Sequence, residues 1–451
     1  MGRKQSKIIK KVRKKLLGTS HLLDDIGVAL DLNLPSQIPT SIPKGSKCTV
    51  CKGSKNICGK TKCPLLSRLD AYLKLEPMME RKEIEGASPP GVFVGRIGYP
   101  KVYVGPLVPP FYGDTSLFDT PEQWFGKSMD EIVRFRLRLI RGKIRADIRD
   151  PYDNGMIEET RITALSEKPV EIELNLKSKP SKRFVLSDSV QPIGPSAIVK
   201  KLKVGNVKLN HHIENAYYDT DLKSSEAILN IYNDGISVTK IQKALSLGAF
   251  GLEKKRRLVP TRWSITAVDS IISQKMMDKV KTQPIINEFR VYESNYLDNR
   301  FEILMIPEAW KYETMEAWYP GTIWNPDRHQ IHIYGDSEGY RGRSNYASIG
   351  GCYYAARLAV NEALMKEKRQ ATVIIMREAH PGYIMPVGVW QVRENVRNAL
   401  NQRPLKYNNL KEALSRIKSK LDIRLDNWVD QSDLLKDTLY QRKLTEFVMT
   451  P

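Results

Sequence analysis

"ATVIIMREAHPGYIMPVGVWQVRENVRNAL" occupies residues 371–400. Its opening is apolar and largely β-branched and reads as a strand. Pro381, Gly382, Pro386 and Gly388 then break the chain into a loop. The remainder, from about Val389, reads as a helix. Working backwards, a long helix with many small residues is expected from about Tyr346 to Lys368. QIHIYGDSEGYRGRSNY (330–346) holds a strand and a polar loop, and TMEAWYPGTIW (314–324) is rich in aromatic residues. EFRVYES (288–294) and RFEILMIP (300–307) read as two strands of a hairpin around Leu297, Asp298, Asn299 and Arg300.

Nearer the N-terminus the same mixture recurs. SPPGVFVGRIGYPKVYVGPLVPP (88–110) alternates short Val-rich runs, 92–94 and 102–104, with Gly and Pro, a strand–turn–strand signal. Gly91, Gly95, Gly98 and Gly105 do not form a dinucleotide fingerprint, because no helical pattern follows them. The hairpin either approaches a ligand where Gly95, Arg96 and Gly98 meet, or is purely structural. Ser128 and Glu131 form a capping box, which predicts a helix from Ser128 to Gly142, although the alternation in VRFRLRL also fits a strand. KIRADIRDP (143–151) follows as a short strand, with Arg145, Asp147, Arg149 and Asp150 as a polar site or an ion-pair network. Residues 170–208 read as strands through EIELNL, RFVLSDSV and AIVKKLKV. Two short helices are expected over 224–248 and a third over SITAVDSIISQKMM (264–277). The fold class is therefore α+β, a mixed body of many elements.

Composition narrows the partner. The 451 residues carry 72 Lys and Arg against 51 Asp and Glu, a net charge of +21. Such a surplus favours an acidic polymer, most often nucleic acid; the bland alternative is a chain that is simply lysine-rich. Residues 1–18 contain eight Lys or Arg and no acid. They lack the apolar stretch of a signal peptide, and no segment approaches a membrane span, so an intracellular, cytoplasmic and nucleoid-associated protein with no membrane partner is expected. In the run Lys254, Lys255, Arg256, Arg257 and Arg262, followed by Trp263, the cations can grip phosphate and the ring can stack a base. A solvated charge run before a core tryptophan is the alternative.

Four of the five cysteines fall in KCTVCKGSKNICGKTKC (47–63): Cys48, Cys51, Cys58 and Cys63. In a reducing compartment such a cluster reads as metal ligands. Four thiolates suit one structural, tetrahedral Zn2+. An iron–sulfur cluster is the rival, and a site without metal the third option. Lys44 to Arg68 holds seven Lys or Arg and no acid, so Lys52, Lys55 and Lys60 are candidate phosphate contacts. Cys352 reads as a small buried thiol in a helix.

Catalytic signals are weak. Arg341, Arg343, Ser344, Asn345, Arg377, Glu378, His380 and Glu394 are the polar residues near strand ends, where sites gather in α/β folds. Glu378 and His380 resemble an acid–base pair, with Arg343 a third candidate, and no nucleophile motif accompanies them. His211 and His212 are adjacent and point to different sides of a regular element, which argues against a shared metal. The C-terminus is sharper. Gln441, Leu444, Phe447 and Val448 have the form Q-x-x-h-x-x-a-h, an apolar plug on one helical turn that docks in a preformed groove. It resembles the PCNA-interacting peptide of sliding-clamp partners, with Val448 in place of the usual second aromatic. A terminal helix docking on its own domain is the alternative.

Domain organisation follows: a basic tail and linker (1–43), a four-cysteine zinc module (44–86), the body (87–430, with a subdomain split near 210–285), and a helical C-terminal tail (431–451). The cysteine cluster, PPGVFVGRIGYPKVYVGPL, PTRWSITAVDS and the terminal box together resemble the archaeal Nre family of DNA-repair proteins, from Cys48 to Val448. The resemblance implies a role in DNA damage repair, a zinc-finger-like module and clamp binding, with other repair proteins as further partners. The expected function is a clamp-recruited, DNA-binding repair factor. A DNA-processing enzyme (a nuclease or nucleotide-modifying activity) and an RNA-binding protein are the alternatives.

Overall fold

The computed structural model describes residues 80–440, apart from 153, 182–191, 321, 323, 324 and 326–328, together with the isolated positions Cys63 and Leu66. The basic tail, Cys48, Cys51, Cys58, the strand expected over RFVLSDSV and the terminal box lie outside the described residues.

Alternating sequence builds the first sheet: β1 (Glu83–Ser88), β2 (Val92–Val94), β3 (Lys101–Val108), β4 (Ile140–Asp147), β5 (Val170–Leu176) and β6 (Ser196–Val204). Its order is β1-β5-β6-β4-β3-β2. β4 and β6 run parallel and the other pairs antiparallel. The hairpin read from 88–110 is the β2–β3 pair. In β4 the residues Ile140, Gly142, Ile144 and Ala146 point into the core, and Arg141, Lys143 and Arg145 point outward. This corrects the expected helix through Gly142. The helix α1 is Met129–Leu137, capped as expected: the Ser128 N–H donates to Glu131 Oε2 at 2.8 Å, and the Glu131 N–H donates to Ser128 Oγ at 3.3 Å. From Ile140 the period-2 pattern wins, because pairing with β3 satisfies the backbone while one side-chain row is buried.

α2 (Gly155–Leu165) packs on the first sheet. A helical layer follows: α3 (His211–Tyr218), α4 (Ser224–Asn233), α5 (Val238–Ser246) and α6 (Thr261–Val280). Ile213, Ile228, Ile241, Val268 and Ile272 form its core. α6 ties this layer to both sheets. Thr261 Oγ1 accepts the Val94 N–H of β2 at 2.8 Å, and Asp269 receives Arg393 from beside the second sheet at 2.8 Å.

The second sheet contains β7 (Phe289–Tyr296), β8 (Asn299–Ile306), β9 (Lys311–Trp318), β10 (His332–Glu338), β11 (Thr372–Ala379) and β12 (Leu405–Tyr407), in the order β10-β9-β11-β8-β7-β12. β9 and β11 are parallel. The expected β7–β8 hairpin closes through Leu297 and Asp298, at φ 53° and 55°, the left-handed pair of a two-residue hairpin turn. α7 (Gly351–Glu367) and α8 (Trp390–Leu400) cover one face. α9 (Leu410–Lys418), α10 (Leu425–Gln431) and α11 (Asp433–Tyr440) cover the other. With both faces covered, β11 is buried along its whole length, which is why its sequence reads as a continuous apolar run.

α7 starts at Gly351 and not at Tyr346, after a left-handed Gly350. The body also exceeds its expected bounds. β1 pairs with β5, so a boundary at residue 86 falls inside a strand. Leu434 and Leu435 of α11 are buried against the second sheet, so the body runs on past residue 430. Among the described residues, no helix is long and apolar enough to cross a membrane.

Candidate functional site

Alternation along β11 separates neighbours in sequence. Arg377 points toward the α7–α8 side and Glu378 toward the α9–α10 loop. The Glu378 side chain is fully buried and both of its oxygens are occupied. Oε1 accepts the Ile423 N–H at 2.8 Å. Oε2 accepts the Asp422 N–H at 3.2 Å and lies 3.2 Å from His380 Nε2 and 3.4 Å from Arg300 Nη1. Arg300 also binds Asp422 Oδ1 at 2.8 Å. His380 Nδ1 lies 3.7 Å from Asp422 Oδ2, and its ring stacks on Tyr319 at 4.5 Å. The β7–β8 turn holds the histidine loop. Asp298 O accepts the His380 N–H at 3.0 Å, and Asp298 Oδ2 accepts the Gly382 N–H at 2.6 Å. A Cβ at Gly382 would meet that carboxylate oxygen at 2.4 Å, so a larger residue there would have to push the Asp298 side chain aside.

The expected Glu378–His380 pair is thus real geometry, and Asp422, Arg300 and Tyr319 join it. One ligand atom each from Glu378, His380 and Asp422 lie within 4.8 Å of one another, a spacing that one metal ion spans. The Arg300 guanidinium already supplies positive charge to both carboxylates. Burial, and next Glu378, push the Tyr319 hydroxyl well above its usual range.

Arg343 does not belong to this group. It forms a forked pair with Asp336 at 2.8 and 3.0 Å, donates to Asn345 O and lies over Tyr353. Arg377 is buried on Glu316 at 2.6 Å, and Glu394 serves Arg397 at 2.9 Å. The polar residues expected to gather at strand ends therefore divide into separate ion-pair networks. His212 pairs with Asp234 at 2.9 Å and His211 with Asn215 at 3.2 Å. Cys352 sits half-buried on α7, with its thiol pushed up by burial.

The basic run is also divided. Lys254 and Lys255 are exposed. Arg256 is buried: its Nε, Nη1 and Nη2 donate to the carbonyls of Gly251, Tyr217 and Asp219 at 2.8, 2.7 and 2.7 Å. That corrects the expectation that Arg256 reaches phosphate, since three converging carbonyls hold its guanidinium buried. Arg257 turns onto the Lys254 and Arg256 carbonyls. Arg262 is exposed on the first turn of α6, and Trp263 packs on Tyr99 of the β2–β3 hairpin at 5.3 Å. Two stretches read separately in the sequence meet here. Of the polar group expected at Arg145, Asp147, Arg149 and Asp150, Arg149 pairs with Asp147 at 2.7 Å, while Arg145 falls in an outward row with Arg141 and Lys143. Sequence reasoning missed Arg141 and Lys143, which the alternation I-R-G-K-I-R-A-D marks.

The comparisons with known proteins agree along the chain. The family described as "Archaeal Nre, N-terminal" matches residues 57–325, and "Archaeal Nre, C-terminal" matches residues 338–447. The DNA repair protein NreB of Archaeoglobus fulgidus is 39% identical over 402 residues, 89% of this chain and 100% of the relative. The DNA repair protein NreA of the same organism is 38% identical over 375 residues, 82% of this chain and 92% of the relative. The DNA repair protein NreA of Haloferax volcanii is 34% identical over 347 residues, covering 74% and 82%. No solved structure matches. With both halves matched and relatives similar over most of their length, the chain belongs to the archaeal Nre family.

Proposed function

We propose that this chain is a DNA-repair factor that binds DNA and is recruited to the sliding clamp, PCNA, through Gln441, Leu444, Phe447 and Val448. The observation that supports the reading best is its similarity to chains named DNA repair protein, one of them covered over its whole length. The net charge of +21 supports a DNA partner. The terminal box supports the clamp: Leu444, Phe447 and Val448 at i, i+3 and i+4 make one apolar anchor. Cys48, Cys51, Cys58 and Cys63 are proposed to hold one structural Zn2+, and the donor set suits that ion. Lys52, Lys55 and Lys60 would place positive charge on the same module.

The test is binding of the purified chain to the clamp, beside a version ending at Tyr440. Loss of binding on truncation supports recruitment through the tail. Equal binding by both forms overturns it. Metal analysis of the full chain and of Cys48→Ser/Cys51→Ser checks the module, with one zinc per chain expected and its loss in the variant.

The Glu378–His380–Asp422 group favours a second reading, a DNA-processing activity. His380→Phe keeps the stacking on Tyr319 and removes the ring nitrogens. Unchanged DNA processing by that variant would remove the catalytic reading.

A further inference from the structure

The outward face of the first sheet carries charge that no acid among the described residues neutralises. Arg141, Lys143 and Arg145 follow one another along β4. Beside them stand two rings, Phe93 on β2 and Tyr103 on β3. The Arg141 guanidinium lies 5.1 Å from the Phe93 ring centre. Over Tyr103 lie the Lys143 ammonium at 5.6 Å and the Arg145 guanidinium at 5.1 Å. Apart from Asp147 at the end of the same row, the acids on this sheet sit on the far strands, at Glu83 and Glu85 on β1 and at Glu171 and Glu173 on β5. Glu173 is taken by Lys203 at 2.6 Å, and Asp147 at the end of β4 is taken by Arg149 at 2.7 Å. Charge is therefore segregated across the sheet.

The basic row continues into the β2–β3 hairpin. An added Cβ at Gly98 would lie 3.5 Å from both terminal nitrogens of Arg145. Next to Gly98, Ile97 is 87% exposed at the tip. Arg96 is exposed too, and its charge is disfavoured by burial and then by Arg262. Burial lowers Arg141 to about 10, and Lys143 is lowered by burial and then by Arg141. Arg141 Nε is buried with no hydrogen-bond partner among the described residues. Cations crowded together without carboxylates cost stability. An arriving anion reverses that cost.

The chemistry on offer selects the anion. Phosphates suit the cations, and flat bases stack on aromatic rings and on guanidinium planes. A duplex presents its phosphates and keeps its base faces stacked inside, so it has no use for Phe93, Tyr103 or an exposed Ile97. A single strand uses all of them. We propose that the outward face bearing Phe93, Tyr103, Arg141, Lys143 and Arg145, bounded by the hairpin tip, binds single-stranded DNA. The choice of DNA rests on the repair reading above.

The test titrates the full chain against a labelled single-stranded DNA, its duplex and the matching RNA, by fluorescence anisotropy over a range of salt. The single-stranded DNA is expected to bind tightest. Lys143→Ala/Arg145→Ala should weaken binding about tenfold or more and reduce the salt slope by about 1.4, from two lost phosphate contacts at roughly 0.7 each. Phe93→Leu/Tyr103→Leu keeps every charge. It should weaken binding roughly 5- to 100-fold with the slope unchanged. Thermal melts confirm that both variants fold. If the full chain binds single-stranded DNA and both variants match it, DNA is held elsewhere: this inference falls and the repair reading stands. A preference for duplex or for RNA overturns the choice of ligand. If the full chain binds no DNA, the inference and the DNA-binding part of the repair reading fall together.

Discussion

The two sheets have the same number of strands and each contains one parallel pair, yet they treat charge in opposite ways. Helices cover both faces of the second sheet. Charged side chains on it and on the helices around it are closed locally: Arg377 with Glu316 at 2.6 Å, Arg357 with Glu338 at 2.8 Å, and Arg393 with Asp269 at 2.8 Å. The first sheet buries one face and leaves the other partly open to solvent. There Arg141, Lys143 and Arg145 have rings beside them and no acid among the described residues. A buried charge must find its partner within the fold, because an unpaired one is too costly. A charge at the surface is free to wait for a partner from outside. The second sheet is built to hold itself together, and the first is built to present a surface.

The largest expected effect tests the second sheet. Arg377→Ala removes the pair with Glu316 and the hydrogen bonds to Asn299 Oδ1 at 2.9 and 2.7 Å. Glu316 is then left buried with no cationic partner among the described residues. The expected loss is about 3–5 kcal/mol of stability, read from urea unfolding. A loss under about 1 kcal/mol would mean that the pair is not closing a buried charge, and the contrast between the sheets would weaken.

Glu302 on β8 is an exception within the second sheet, and it sharpens the rule. It is buried, and Oε2 has no hydrogen-bond partner among the described residues. Burial, then Glu293, push its carboxyl up to about 8, against the pull of Lys420, Arg300 and Arg416. The folded chain therefore keeps a proton that the unfolded chain releases near its ordinary value of 4.5. This contribution to stability is fully present below 4.5 and is lost as pH rises to about 8. Glu302→Gln removes the titration. Melts should match wild type near pH 4 and show the variant more stable near pH 8, by about 4 kcal/mol. Equal melts at both pH values would show that Glu302 is not held neutral by burial.

Much of this architecture is legible in the sequence. The apolar run 372–376 and the Pro- and Gly-rich loop after it announce β11 and the turn toward α8. The β7–β8 and β2–β3 hairpins follow from alternation and turn residues. Glu378 and His380 stand out because they close a strand. Asp422, Arg300 and Tyr319 do not stand out, since only packing of the α9–α10 loop, β8 and β9 brings them together. Charge runs are the least legible feature. Lys254, Lys255 and Arg256 look alike in sequence, but Arg256 turns inward where three carbonyls converge. The helix expected through Gly142 failed for a related reason. A capping box fixes where a helix starts, while the end at Leu137 is set by the pairing of β4 with β3, which the alternation from Ile140 signals but does not locate.

A smaller effect checks that capping box. Ser128→Ala removes the acceptor of the Glu131 N–H and half of the reciprocal pair. About 1 kcal/mol of stability should be lost, measured by chemical unfolding. No loss would mean that packing of Ile132 and Val133 alone fixes α1.

The smallest expected effect is the most telling for the comparison. Arg145 and Arg377 are the same residue type on the two sheets. Each lies over an aromatic ring, Tyr103 at 5.1 Å and Trp318 at 4.9 Å. If stacking on the ring fixed their contribution, Arg145→Ala and Arg377→Ala would cost alike. If the carboxylate partner and burial decide it, Arg145→Ala changes stability by no more than about 0.5 kcal/mol, the ordinary range for an exposed site. The two variants are compared by urea unfolding in the same buffer. A loss of several kcal/mol in Arg145→Ala would make the first sheet's cations part of its own framework, and their lack of acidic partners would no longer point outward.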